Sequence, residues 1–252
     1  MNKVKEFVKK YWITACIYIG MFLLYKYMTD TGKANVYLFP NVDSIKKSFA
    51  DNYLTMFITM FSSFQLLIPS ILGALAVALS VGIFLGMNKR AREALHPIIY
   101  TISVIPSILL SPFALLLAPS FRAASIFLIV YATIWSTLFS TITGIMTIDK
   151  RYLDKAKTLE VHGFKKMVKV VLPAASPAIL SGFVNSLRGS FVMLVYAEMY
   201  GAKYGMGFFV KKNAELGLYD KVWSGFLFMV VVLVLVMQFF EKLKNRLLKW
   251  TI

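Results

Sequence analysis

The sequence is poor in the residues from which catalytic and metal sites are usually built. Its 252 residues include one cysteine, Cys16, and two histidines, His96 and His162. One cysteine excludes an intrachain disulfide, and the histidines lack a metal-ligand spacing such as His-Glu-x-x-His. We also find no Gly-x-x-x-x-Gly-Lys-Ser/Thr phosphate loop and no Gly-x-Ser-x-Gly nucleophile motif. We therefore expect no ATP hydrolysis, metal site or cofactor in this chain, and we do not expect an enzyme.

Acidic residues are also scarce. The chain has 12 Asp and Glu against 28 Lys and Arg, a formal net charge of +16. In a soluble protein this excess would suggest nucleic-acid binding. Here 58% of the residues are hydrophobic, and they form blocks of the roughly 20 residues that a helix needs to cross a bilayer. The basic residues lie mostly at block edges, where lipid head groups attract them, so we predict a membrane protein with no nucleic-acid partner.

The apolar blocks predict an all-α polytopic protein with about six transmembrane helices, in a single membrane domain over residues 1–252. The predicted spans cover about residues 11–28, 64–87, 96–118, 123–148, 178–200 and 222–240. The mixed segment before the second span, residues 44–63, is expected to be an interfacial helix that leads into it.

The positions of the basic residues predict the orientation. They concentrate before the first span, between the second and third, between the fourth and fifth, and after the sixth. With six spans, all four of these segments fall on one side of the membrane. The positive-inside rule makes that side cytosolic, so we predict a multi-pass protein of the plasma (inner) membrane with both termini in the cytosol.

The third predicted span contains Pro106 and Pro112 together with Ser103, Ser107 and Ser111. Proline inside a membrane helix removes one backbone hydrogen bond and bends the helix. One interpretation is a kinked packing helix whose serines bond to their own carbonyls. The other is a broken helix that lines a polar pathway.

Two ionisable residues lie in the fifth predicted span, Arg188 near its middle and Glu198 near its outer end. A charge at membrane depth is costly and tends to face protein or water, so Arg188 is a pathway candidate. Alternatively, Arg188 extends to the interface or pairs locally. Glu198 is compatible with simple solvation at the head-group level.

The basic loop at about residues 149–175 is predicted to contain two short helices. Asp149 is a suitable N-cap for the first, and Gly163 is expected to end it or to start the second. The second has an apolar face at helical spacing, formed by Phe164, Met167, Val168 and Val171. Leu172-Pro173 is expected to end it. The loop is either a basic helix pair on the membrane surface or a rigid lever, joined to the fifth span, that meets another protein.

This loop resembles the EAA motif of ABC-importer permeases, in which Glu-Ala-Ala is followed by Gly and then by Ile-x-Leu-Pro. Asp154-Lys155-Ala156 occupies the position of the first triplet, and Glu160 occupies the position of the glycine. The end of the motif corresponds to Val170, Leu172 and Pro173. Lys155 and Glu160 depart from the pattern. Since a Glu reaches positive φ only at a cost, Gly163 is expected to carry the break instead.

Further segments are similar to those permeases over about residues 45–250. The stretch from Ile105-Pro106 through Ser111-Pro112 resembles the proline-bearing third span. The segment after the fifth span, Ala197-Glu198-Met199 and then Gly205-Met206-Gly207, resembles the sulfonate, taurine and nitrate subgroup. The resemblance implies a permease subunit of an ATP-binding-cassette importer, for a small anion or small organic solute. It implies a second, identical copy, two ATPase subunits that bind ATP and Mg²⁺, an external substrate-binding protein and membrane lipid as partners.

The resemblance also implies roles for individual residues. The ATPase-coupling loop would contain Asp154, Lys155, Ala156, Thr158, Leu159, Glu160 and Gly163. The translocation pathway would contain Ser103, Pro106, Ser107, Ser111 and Arg188. The outer gate would contain Glu198, Gly205 and Gly207. One alternative is a polytopic membrane protein of another class, such as a stand-alone secondary transporter driven by an ion gradient or a membrane-embedded enzyme. A further alternative is a scaffold that only anchors partners.

Overall fold

The structure is a computed structural model that describes residues 2–249, without the side chains of residues 2–8 and 10. Every regular element within that range is helical, which confirms the predicted all-α class. The first helices are α1 (Asn2–Asp30), α2 (Val42–Met87) and α3 (Lys89–Val104), followed by a 3-10 turn (Ser107–Leu110), α4 (Ser111–Leu117) and α5 (Phe121–Met146). Then come α6 (Lys150–Thr158), α7 (Gly163–Lys166), a π-helical turn (Met167–Val171), α8 (Leu172–Gly201), α9 (Met206–Glu215) and α10 (Tyr219–Leu247).

Four of these helical segments are long and apolar enough to cross a membrane: Val42–Met87, Phe121–Met146, Gly163–Gly201 and Tyr219–Leu247. The pair Lys89–Val104 and Ser107–Leu117, bent by 84°, makes a fifth if it is counted as one span. The structure therefore confirms a polytopic membrane protein with four or five candidate spans. The first predicted span, at about residues 11–28, lies in α1 and is not among them, so the count of six stays a prediction.

The predicted interfacial helix at residues 44–63 is not a separate element. Helix α2 is continuous over 46 residues, and the side chain of Asn41 accepts the backbone N–H of Ser44 at its start. No glycine or proline interrupts residues 44–63, so nothing in the local sequence ends the helix before the apolar block begins.

The described chain divides into two compact units, one of residues 2–56 with Phe209–Phe228 and the other of Phe57–Phe208 with residues 229–249. In the first unit, the aromatic residues anchor the segment after α1. The hydroxyl of Tyr25 donates to the carbonyl of Pro40 at 2.7 Å, and Trp223 Nε1 donates to the carbonyl of Leu38 at 2.9 Å. These bonds satisfy backbone carbonyls in a segment that no regular helix covers.

In the second unit, α5 packs along α8 with their backbones in close approach. A Cβ atom added at Gly182 would lie only 2.3 Å from the side chain of Ser140. Small residues allow such an approach, and in membranes van der Waals packing replaces the hydrophobic effect as the force between helices. The side chains buried around this contact include Leu128, Ile129 and Leu187. The α5–α8 pair is therefore the framework on which the loop and the broken span are placed.

Candidate functional site

The basic loop begins with a capped helix, as the sequence predicts. The Asp149 carboxylate accepts the backbone N–H of Arg151 at 2.9 Å and the guanidinium of the same residue at 2.6 Å. The hydrogen bond from the Arg151 side chain, with that from its backbone, lowers the pKa of Asp149 below its ordinary value. The cap therefore stays ionised at neutral pH and satisfies a free N–H at the start of α6.

Helix α6 ends in a Schellman turn centred on Glu160. The N–H of Val161 donates to the carbonyl of Ala156 at 2.9 Å, and the N–H of Glu160 donates to that of Lys157 at 3.0 Å. These two bonds define the motif, which requires the left-handed region at Glu160, where φ is 52°. The prediction that Gly163 carries the break in place of Glu160 was thus wrong. Gly163 also has a positive φ, of 57°, and begins α7, so the loop turns at both residues.

Most of the predicted coupling residues lie on the loop surface. Those with exposed side chains or backbone are Asp154, Lys155, Thr158, Leu159, Glu160 and Gly163. Ala156 differs, since only 3% of it is exposed. It lies with Lys155, Val161 and Lys169 along a groove of about 520 Å³ between α6 and the π-helical turn. A small residue at position 156 therefore lets the two parts of the loop approach each other.

The second loop helix does not end at Leu172-Pro173, which corrects the sequence prediction. A single helical segment runs over Gly163–Gly201, 39 residues. Just before Pro173 the register widens, so that the N–H of Leu172 donates to the carbonyl of Met167, five residues back. A wider turn makes room for the proline ring against the preceding turn, where a regular α-helix would clash. The loop is consequently continuous with the membrane helix.

The third predicted span is broken at Ile105 and Pro106, whose backbones are extended with ψ of 118° and 129°. Proline disfavours the helical conformation in the residue before it, which explains the break. The serines bond to carbonyls of their own span, as the interpretation of a kinked packing helix predicts. Ser103 donates to the carbonyl of Tyr100 at 2.7 Å, and Ser111 donates to that of Ile108 at the same distance. The span thus combines the broken backbone of one interpretation with the serine hydrogen bonds of the other, and its role as a polar pathway stays a prediction.

The break opens a groove of about 430 Å³ against α5 and α8. Four of the five predicted pathway residues line it: Ser103, Pro106, Ser107 and Arg188. The fifth, Ser111, is buried beside the hydroxyl of Tyr196 at 3.3 Å and does not line the groove. The sequence reasoning missed Tyr131 and Trp135 of α5, which form one wall. They are four residues apart on one helix, a spacing visible in the sequence, and their rings meet edge to face with centroids 5.2 Å apart.

Arg188 lies near the middle of α8 with its side chain exposed. Among the described residues no carboxylate lies within 4.0 Å of its guanidinium. It also lines a second groove, of about 600 Å³, together with Glu241. The carboxylate of Glu241 is held by Lys244 at 2.6 Å. A charged arginine at the centre of a membrane helix costs about 2.5–3.5 kcal/mol on insertion scales, so water or protein is expected at this face.

The residues predicted for an outer gate form a compact cluster. Glu198 is only 2% exposed, so its solvation at the head-group level was a wrong interpretation. Its carboxylate accepts the N–H of Gly207 at 2.8 Å and is bonded to the Ser63 side chain. The Ser63 hydroxyl in turn accepts the N–H of Met206 at 2.9 Å. The sequence reasoning missed Ser63, because only the tertiary structure brings α2 beside the end of α8.

Both glycines of this cluster are required by their positions. Gly205 has a φ of 105°, and a Cβ there would lie 2.3 Å from the Glu198 carboxyl carbon. A Cβ at Gly207 would lie 2.6 Å from the carbonyl oxygen of Val195. Larger residues would displace the carboxylate, so the turn and the buried acid form one unit.

Comparisons with known proteins all find components of membrane transport systems. Residues 78–249 match the family described as "Binding-protein-dependent transport system inner membrane component". The putative aliphatic sulfonates transport permease protein SsuC of Bacillus subtilis (strain 168) is 31% identical over 180 residues, 71% of this chain and 65% of that protein. The bicarbonate transport system permease protein CmpB of Synechococcus elongatus is 31% identical over 138 residues, 54% of this chain and 50% of that protein.

A third relative, the nitrate import permease protein NrtB of Leptolyngbya laminosa, is 29% identical over 149 residues, 59% of this chain and 53% of that protein. The matched part of the chain thus spans from half to just under two thirds of these relatives. Among solved structures, an inward-facing conformation of the MetNI methionine ABC transporter matches with a TM-score of 0.65 at 14% identity. The match covers 74% of this chain and 93% of that one, and it shows a shared fold.

Proposed function

Because this chain belongs to the family of binding-protein-dependent transport system inner membrane components, we propose that it is the permease subunit of an ATP-binding-cassette importer. In this proposal, the whole chain acts as one permease domain of the plasma (inner) membrane, with both termini in the cytosol. Two ATPase subunits bind ATP and Mg²⁺ and supply the energy, and this chain supplies the pathway.

The observation that carries the proposal is the uninterrupted helical segment from Gly163 to Gly201. At 1.5 Å per residue, its 39 residues extend for roughly 60 Å, longer than a bilayer is thick. A push on the loop at α6 therefore moves the helix that carries Arg188 and Glu198. The ATPase contact in this proposal consists of Asp154, Lys155, Ala156, Thr158, Leu159, Glu160 and Gly163.

The pathway of the proposed importer lies along the groove at the broken span. Its proposed residues are Ser103, Pro106, Ser107, Ser111 and Arg188. Ser111 does not line the groove and would contribute through its contact with the Tyr196 hydroxyl. A second, identical copy would close the groove, which is open on one chain. Glu198, Gly205 and Gly207 would form the outer gate, where an external binding protein delivers substrate.

The names of the relatives favour a small anion or a small organic solute as the substrate. The three relatives are described as permeases for aliphatic sulfonates, bicarbonate and nitrate. These solutes share a small size and negatively charged oxygen atoms. The described residues that line the groove at the broken span include Arg188 and neither Asp nor Glu, which is compatible with an anion.

Reconstitution tests the proposal. We expect proteoliposomes with this chain, its ATPase and its binding protein to accumulate substrate when Mg-ATP is supplied on the ATPase side. Without the ATPase, or with ADP, uptake should fall to the level of empty liposomes. An ATPase variant that binds but does not hydrolyse ATP is the matched control. Uptake by the chain alone, driven by a proton or sodium gradient, would instead establish a secondary transporter.

A further inference from the structure

A single positive charge dominates the groove at the broken span. Arg188 is the only ionisable cation among the lining residues, and none of them is acidic. The nearby acid Glu241 is neutralised by Lys244 at 2.6 Å. Glu198, further along α8, is bonded to Gly207 and Ser63 and only 2% exposed. The guanidinium therefore faces the groove without a compensating carboxylate from the described part of this chain.

The groove also offers neutral hydrogen-bonding groups beside that charge. Ser107 lines it, and its hydroxyl has no hydrogen-bond partner within the described residues. The Ser103 hydroxyl donates to a backbone carbonyl, and its oxygen can still accept a hydrogen bond in this half-buried position. The remaining wall is largely apolar, with Ile105, Val192 and Met193. A small ligand would thus meet one cation, one free hydroxyl and apolar surface.

From this arrangement we infer that Arg188 and Ser107 form a binding subsite for a small oxyanion. A guanidinium has only donors, arranged as a planar fork that matches two oxygens of one ligand. Low-dielectric walls strengthen such a charge-assisted hydrogen bond and favour a ligand that brings the missing negative charge. A cation is repelled, and a neutral solute leaves the arginine uncompensated. The inference rests on the proposed function and names the chemical class of its substrate.

The break at Ile105 and Pro106 is part of this site. Their extended backbones turn the chain by 84° between α3 and the following helices, and this turn opens the space in front of Arg188. The groove, of about 430 Å³, is larger than an ion of four to six non-hydrogen atoms needs. Water or a second copy of the chain would fill the remainder, and the oxyanion would be held at the arginine end.

Anion binding is measured on the full chain, co-purified with its ATPase subunits in lipid nanodiscs. The probes are sodium nitrate, sodium bicarbonate and sodium methanesulfonate, each titrated at constant ionic strength against sodium chloride. The neutral compound methanesulfonamide serves as the uncharged analogue of methanesulfonate. A ligand at free concentration c that binds the folded state stabilises it by RT ln(1 + c/Kd), so the dependence of the melting temperature on ligand concentration gives an apparent Kd.

We expect at least one oxyanion to bind the unmodified chain and methanesulfonamide to bind much more weakly. Arg188→Gln should weaken oxyanion binding by about tenfold or more, since a hydrogen bond to a charged group is lost. Arg188→Lys keeps the charge but loses the fork, so its affinity should lie between the two. Ser107→Ala should cause a smaller loss. Lys242→Gln is the matched control, because Lys242 lines only the neighbouring groove and should have no effect.

Three results would overturn the inference. The first is an unmodified chain whose melting temperature none of the three oxyanions changes. The second is equal oxyanion affinity in Arg188→Gln, Arg188→Lys and the parent. The third is a loss of dimer stability in Arg188→Gln without any anion present, with unchanged anion affinity, which would identify Arg188 as a structural ion-pair partner across a dimer. If any of these results were obtained and the reconstituted complex still took up a neutral solute in an ATP-dependent way, the importer proposal would stand. The oxyanion subsite alone would then be excluded.

Discussion

At the scale of single residues, Glu160 shows how a local rule can be broken at a turn. The Schellman motif at the end of α6 needs a left-handed residue, and glycine is the usual choice. Glu160 adopts a φ of 52° there, at a cost of about 1–2 kcal/mol for a residue with a Cβ. The two backbone bonds at 2.9 and 3.0 Å offset this cost and hold the turn. The side chain is exposed, so strain, and not packing, sets the residue preference.

The strain predicts that Glu160→Gly stabilises the turn. We expect a gain of about 1 kcal/mol, equivalent to roughly fivefold slower local opening. Hydrogen–deuterium exchange of the Val161 amide, which donates to Ala156, reports that opening directly. Glu160→Ala is the control, since it removes the charge but keeps the Cβ and should give little gain. Slower exchange in both variants would attribute the effect to the charge.

At the scale of elements, the contact between α5 and α8 depends on residues without side chains. Gly182 meets Ser140 and the backbone of Ser136, so even a methyl group has no room there. Gly73 on α2 differs, because a Cβ added to it would find Val130 at an ordinary 3.6 Å. Both positions are helical glycines in the second unit. Comparing alanine substitutions at the two therefore distinguishes the effect of close packing from that of helix propensity.

This contrast predicts opposite effects of the same substitution. Gly182→Ala should destabilise the protein by about 1–3 kcal/mol through overpacking. Gly73→Ala should be neutral or stabilising by up to about 1 kcal/mol, the difference in helix propensity. Thermal unfolding in detergent, followed by the fluorescence of the four tryptophans, measures both. Equal melting temperatures of the two variants would contradict the close α5–α8 contact.

At the scale of the whole molecule, the coupling loop is predicted to meet an ATPase on the cytosolic side. Leu159 is 64% exposed and lies at the end of α6, one residue before the Glu160 turn. Leu159→Cys, in a Cys16→Ser background without other cysteines, should cross-link to a single cysteine in the docking cleft of a co-expressed ATPase. Ala34→Cys, in the loop after α1 on the predicted outer side, is the matched control and should give no cross-link.

The same variants report the orientation. With both termini in the cytosol, a membrane-impermeant maleimide should label position 34 but not position 159 in intact cells. Labelling of position 159 from outside would reverse the topology and remove the loop from the ATPase side.

The sequence alone predicted several features of this molecule because they depend on local composition. The length and hydropathy of the apolar blocks predicted an all-α membrane protein. Asp149 predicted the start of α6, because its side chain is a suitable N-cap. Pro106 and Pro112 predicted a bend in the third span, and the break lies at the first of them, since proline disfavours a helical backbone in the residue before it. The loop segment, together with the segments at Pro106 and at Gly205 to Gly207, predicted the family that residues 78–249 match, because each resemblance lies within a short stretch of chain.

The tertiary structure decided the features that depend on distant neighbours. Glu198 is buried because Ser63 and Gly207 surround its carboxylate, and Arg188 faces a groove because α3 breaks in front of it. Leu172-Pro173 fails to end the helix because one widened turn accommodates the ring, a change of register that residue preferences do not encode. Local chemistry sets which helices form. Which side chains those helices bury follows from packing between segments that are far apart in the sequence.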